Sequence, residues 1–192
     1  ITIETAGEST EQTDVLELVR DSWRQIGIQL LTKPTQREVF RRRIYSGDTI
    51  MSVWSGVSNG IPTSLMSPQE FTPSSKLQLQ WPHWGHYKQS GGKSGAAPTL
   101  TSVRKLMDLN EAWFRATDSG KKLEIWHKIL KNHADNVYVI GLVNETKQPI
   151  VINKNLRNIP NEGFYNWHPG AYFGIYRPAT FWFAADSAGK ND

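Results

Sequence analysis

The chain has no cysteine in its 192 residues, which excludes disulfides, thiolate metal sites and a thiol nucleophile, and leaves the redox compartment open. It has no apolar run long enough to cross a bilayer, no internal repeat, and no dense stripe of one charge. The net charge is +4, yet the only tight basic run is Arg41-Arg42-Arg43. A nucleic-acid surface needs continuous positive charge, so nucleic acid is not an expected partner. The sequence does not open on methionine, and its first residues do not read as a signal peptide. The chain opens on a strand-like Ile1-Thr2-Ile3-Glu4-Thr5 and closes on the polar "AADSAGKND", which is expected to fray. These ends read as those of a piece of a longer protein starting at a domain boundary, with any targeting signal upstream.

Recognisable catalytic chemistry is missing too. "GGKS" at 91–94 has Tyr87 where a phosphate-binding loop needs its first glycine, and no apolar strand precedes it. Glu124 and His127 have the E-x-x-H spacing of carboxylate-bridged metal bundles, but no second copy accompanies them. The five histidines, His83, His86, His127, His133 and His168, show no metal-ligand spacing. No G-x-S-x-G elbow is present. No catalytic residue, metal or cofactor is therefore expected.

What is present is periodicity. Hydrophobic residues make up 38% and charged residues 21% of the chain, the balance of a globular protein with one sizeable core. Residues 1–5 alternate like a strand. Ser9 with Gln12 fits a helix-capping box, and Val15, Leu18, Val19, Trp23 and Ile26 form one helical face that stops at Gly27. Residues 28–32 read as a second strand. Thr35 with Glu38 suggests another capping box, opening a helix with Val39, Phe40 and Ile44 inward and its arginines solvated. A third strand follows over 49–53. This strand–helix alternation predicts an α/β fold, with a sheet carrying helices.

Residues 55–98, rich in Pro, Gly and Ser, read as one long irregular segment enclosing "WPHWGHY". Two neighbouring helices follow. One has Val103, Leu106, Met107, Trp113 and Phe114 on its apolar face, the other Leu123, Trp126, Ile129 and Leu130. Strands are expected over 137–143 and 149–152. The stretch from Asn166 to Phe183 is aromatic and aperiodic.

Aromatic residues give the one binding signal. Of the eight tryptophans, Trp23, Trp113 and Trp126 fall on helical apolar faces and are expected in the core. Trp54, Trp81 and Trp84 fall in or beside irregular backbone. Trp54 closes a strand and is followed by the small-residue run "SGVSNGIP", which fits either core closure or a cleft wall.

Four stretches carry a resemblance to a known family: "TEQTDVLELVRDSWRQIGIQL", "REVFRRRIYSGDTIMSVWSG", "NGIPTSLMSP" and "LNEAWFRATDSGKKLEIWHKIL…ADNVYVIGLV". Together they resemble the C-terminal lobe of extracellular solute-binding proteins of peptide- and nickel-type ABC importers, the oligopeptide- and dipeptide-binding proteins. The resemblance implies a single lobe of a periplasmic-binding-protein-like type II fold, a mixed sheet flanked by helices. Residues 1–164 would form the ligand-binding lobe, and 165–192 would return toward a missing N-terminal lobe.

It further implies an inert receptor, periplasmic or extracellular and membrane-associated, that captures an oligopeptide or peptide-like solute. The receptor would deliver that solute to ABC permease subunits. Trp54, Ser55, Gly56, Val57 and Asn59 would meet the ligand through exposed backbone, and Trp81, Trp84 and His86 would add contacts. Peptide-binding relatives place an aspartate three residues after this tryptophan. Here the position is Val57, so an ordinary free-amino peptide lacks its counter-charge unless another lobe supplies one. A modified peptide, an opine-like compound or an oligosaccharide is consistent with that change. A carbohydrate receptor, a carbohydrate hydrolase with two flanking carboxylates, and a protein-interaction module centred on Trp81 and Trp84 are the alternatives.

Overall fold

The computed structural model describes residues 1–57, 63–143, 147, 149–163 and 176–184. They fall into two compact units, one of Ile1–Trp54 and Thr63–Leu142, the other of the described parts of Ser55–Pro62 and Val143–Asp192. The boundary expected between 164 and 165 lies outside the described residues.

In the first unit, β1 (Thr2–Thr5) pairs in parallel with β2 (Leu31–Pro34), Thr2 opposite Leu31 and Thr5 opposite Pro34. The crossover between them is α1 (Thr10–Arg24). On the other side of β1, Glu4 bridges Ser52 in parallel: the Glu4 amide donates to Met51 O (2.9 Å) and the Val53 amide to Glu4 O (3.1 Å). The expected third strand is thus a single bridge, and β1 is the centre of the arrangement.

The start of α1 forms as the sequence predicts, with Ser9 Oγ accepting from the Gln12 amide at 3.2 Å. Its apolar face is narrower than expected. Leu16 is buried and Val19 and Trp23 pack beside it with Ile3 and Leu30, while Leu18 and Ile26 are about 70% exposed (69% and 71%). Leu18 stands two residues from Leu16, and at 3.6 residues per turn that places it on nearly the opposite face. The second strand begins at Leu31 rather than Ile28. The Ile28 amide still closes the helix end on Trp23 O (3.0 Å), with Gly27 at φ +80° making the turn.

α2 (Arg37–Tyr45) buries Phe40 and Ile44. Its predicted capping box does not form. The N-cap is Gln36, without a side-chain bond, because Thr35 belongs to the sheet: its amide and hydroxyl both donate to Thr5 O, at 3.1 and 3.4 Å.

The segment expected to be irregular contains a 3-10 turn at Pro68–Phe71 and a helix, α3 (Pro82–Gln89). Pro82 at the first helical position is favourable, but Gly85 in the interior hides the helix from propensity. Packing demands that glycine, since a Cβ there would stand 2.2 Å from Ser75 O.

α4 (Thr101–Arg115) and α5 (Ser119–Asn136) share a core of Leu106, Trp113, Ile125 and Ile129. Asp118 caps α5, its Oδ1 accepting from the Lys121 amide at 2.8 Å. Phe114, Leu123 and Leu130, expected inside, are exposed, and Ile125 takes the inward position. The difference is a rotation of the apolar stripe by about one residue, set by Ile125, Trp126, Ile129 and the buried Asn132. Asn132 donates to Ser102 O (3.0 Å) and accepts from the Tyr138 hydroxyl (3.1 Å).

The described residues of 137–143 and 149–152 contain no strand. Val137 caps α5 in the left-handed region (φ 48°), and Val139, Ile140 and Val143 are exposed; β-propensity alone does not make a strand without a partner. In the second unit the pairing lies further on: β3 (Leu156–Arg157) runs antiparallel to β4 (Trp182–Phe183), the latter at the end of the stretch read as aperiodic. The chain is mixed α/β. Among the described residues no helix is long and apolar enough to cross a membrane.

Candidate functional site

Among the described residues the one buried charged side chain is Glu4, 6% exposed. Arg43 grips it with two parallel bonds, Nε to Oε2 and Nη2 to Oε1, each 2.8 Å, and Lys33 Nζ lies 3.8 Å from Oε1. This pairing of a planar guanidinium with both carboxylate oxygens holds the Glu4 carboxyl below its usual pKa despite desolvation, and in turn raises that of Arg43. Thr49 Oγ1 is buried without a partner in hydrogen-bond geometry, yet close enough to the carboxylate to lower its pKa further. Arg43 thus anchors α2 to the sheet, which corrects the expectation that the arginine run is a solvated face.

That anchoring sets α2 beside the strand exit. Trp54 is half-buried and stacks on Phe40, ring centroids 5.6 Å apart with a 17° interplanar angle. Tyr45 and Leu79 pack around the same cluster. The guanidinium carbons of Arg37 and Arg41 stand 5.7 and 5.6 Å from the Trp54 ring centroid. They are one helical turn apart, so both reach the ring from the same helix. Arg37 also pairs with Glu8 at 2.7 Å. Trp54 is neither sealed in the core nor free: it is a core-edge ring flanked by cations. Sequence reasoning missed Arg37 and Arg41, although their spacing of four, with Phe40 between them, was a usable signal.

Beside this ring lies an open hollow of about 660 Å³, lined by Glu38, Arg41, Arg42, Tyr45, Ser46 and Leu77. Trp54 does not line it; Arg41 is common to both. The Tyr45 hydroxyl donates to Leu77 O (3.1 Å) and fixes the hollow's wall.

In the other unit, Ser55 and Gly56 are exposed and Val57 half-buried. Among the described residues their main-chain groups find no backbone partner. Asn59 lies outside the described residues.

Trp81, Trp84 and His86 sit on ordered backbone rather than in a loop. Trp81 is the N-cap of α3 in the left-handed region (φ 56°), and Trp84 and His86 are in the helix. The two tryptophans stack on each other, centroids 5.9 Å apart. Trp81 also meets Tyr138 edge-on at 4.9 Å and packs against the α4–α5 core. Behind it, His133 Nε2 donates to Phe71 O at 2.7 Å. No ring contact joins this pair to Trp54 among the described residues. Glu124 and His127 are exposed, with Glu124 paired to Lys121, and the described residues contain no cluster of His, Asp and Glu suited to a metal ion.

No family model and no curated protein sequence matches the chain. Among solved structures it is similar to the oligopeptide-binding protein OppA, at 25% sequence identity and a TM-score of 0.63 over 83% of this chain. The chain spans about a quarter (26%) of that protein's length. Its mixed α/β architecture is that of a type II periplasmic-binding-protein-like fold.

Proposed function

We propose that the chain is one ligand-facing lobe of an extracytoplasmic solute-binding protein. It captures a peptide or peptide-like solute together with an N-terminal lobe of a longer chain and delivers the solute to an ABC permease. The observation that carries this reading is the structural likeness to an oligopeptide-binding protein over most of the chain. The strand exit supports it locally. Trp54 offers an aromatic edge, and the 55–57 backbone leaves N–H and C=O groups without described partners. Such groups pair with a peptide main chain irrespective of its side chains. Ligand contact is assigned to Trp54, Ser55, Gly56, Val57 and Asn59. Trp84 and His86 are secondary, and Trp81 acts mainly by holding Trp84, since its own ring is engaged by Tyr138.

The test is to purify the full-length chain carrying both lobes natively, denature it and identify released solutes by mass spectrometry. Peptides or peptide-like compounds in stoichiometric amount are expected. A sugar as the sole released solute would overturn the peptide assignment, and repeated recovery of none, with no thermal shift from a peptide library, would overturn the receptor reading.

A further inference from the structure

The charges around Trp54 point to the solute's chemistry. Arg37 has an acidic partner in Glu8. Arg41 has none among the described residues: its guanidinium lies over the Trp54 ring, and none of its N–H donors meets a described acceptor. Position 57, three residues beyond the ring, is a valine. One carboxylate, Glu38, lines the adjoining hollow, against the two cations Arg41 and Arg42. The local field is therefore positive, which disfavours an incoming ammonium and favours an anion.

Geometry adds to sign. A guanidinium resting on an indole is attracted to its face and loses little freedom when it binds. Its fork of N–H groups matches the two oxygens of a carboxylate. Arg43 on Glu4 shows the same helix making that bidentate contact within the protein. Next to Arg41, the wall of Tyr45 and Leu77 gives an apolar surface for whatever carries the charge.

We infer that Arg41, held by Trp54, is a carboxylate receptor that makes this site selective for acidic solutes. This rests on the proposed receptor function and deepens it. The carboxylate can come from a peptide's C-terminus or from an acidic side chain, and the test separates these sources.

Binding to the full-length chain carrying both lobes is measured by fluorescence anisotropy with a short N-acetylated, leucine-containing peptide in a C-terminal acid form, a C-terminal amide form, and an amide form with an internal glutamate. At least one carboxylate-bearing form should bind about tenfold tighter than the plain amide, the worth of one charge-assisted contact. If only the acid form gains, the C-terminus is the source; if only the glutamate form gains, the side chain is. Arg41→Gln should erase the preference and Arg41→Lys should retain part of it, with circular dichroism confirming that both variants fold. Equal binding of all three peptides by the wild type, or an unchanged preference in folded Arg41→Gln, overturns the inference while leaving the receptor reading in place. Binding of none overturns both.

Discussion

At Glu4 the balance of forces can be read from its surroundings. Burial alone would raise its pKa, but the two Arg43 bonds and the Lys33 charge outweigh desolvation and lower it from 4.5. A depressed folded-state pKa means that the unfolded chain binds the proton more readily, so the pair's contribution to stability is fully present above pH 4.5 and is lost as pH falls through the lower folded value. Urea unfolding of the wild type should show its midpoint dropping below pH 4.5, and Glu4→Gln should flatten that drop while being less stable at neutral pH. An identical acid limb in the variant would count against the pairing. The pair joins residues 39 apart, and nothing in the local pattern tells an arginine that reaches a buried carboxylate from two neighbours that reach water or a ring. Tryptophan at the strand exit was legible from composition and order. Its cationic surround was not, because that depends on how α2 is turned against the sheet.

At the level of elements, helix starts separate what sequence encodes locally from what tertiary structure overrides. Both α1 and α2 carry capping-box patterns, but only Ser9 caps, Thr35 being diverted to Thr5 O. Ser9→Ala should therefore destabilise by about 1 kcal/mol in chemical denaturation, whereas Glu38→Ala should stay within about 0.5 kcal/mol. A sharper contrast is available in α3. Helix propensity says Gly85→Ala should stabilise by roughly 1 kcal/mol; the 2.2 Å approach of its Cβ to Ser75 O says the backbone must move, costing about 1–3 kcal/mol. Packing should win, and a measured stabilisation would mean that α3 and the Ser75 turn are not in contact. The same close approach explains why α3 was invisible in the sequence. The two amphipathic helices α4 and α5 were legible because their period is internal, although the stripe was misplaced where Leu123 and Ile125 compete for one inward position. The strand expected over 137–143 does not form among the described residues, because pairing requires a partner that the residue pattern does not name.

For the whole molecule, the α/β alternation was legible over the first 54 residues, where each β-strand is followed by a helix with a clear apolar face. The second unit resisted reading. Its one described pairing joins Leu156 and Arg157 to Phe183 and Trp182, residues far apart in sequence and without alternation long enough to signal a strand. Stability of the first unit rests on separate clusters, one of which stacks Phe40 under Trp54. Phe40→Ala should cost about 3–5 kcal/mol and weaken solute binding through loss of the Trp54 position.

The central claim, that the main chain beyond Trp54 meets a solute, is tested most directly by hydrogen exchange at Ser55, Gly56 and Val57 with and without the co-purified solute. Their amides should exchange quickly in the stripped protein and be slowed severalfold or more when solute is bound. Unchanged exchange at all three under saturating solute would contradict the account.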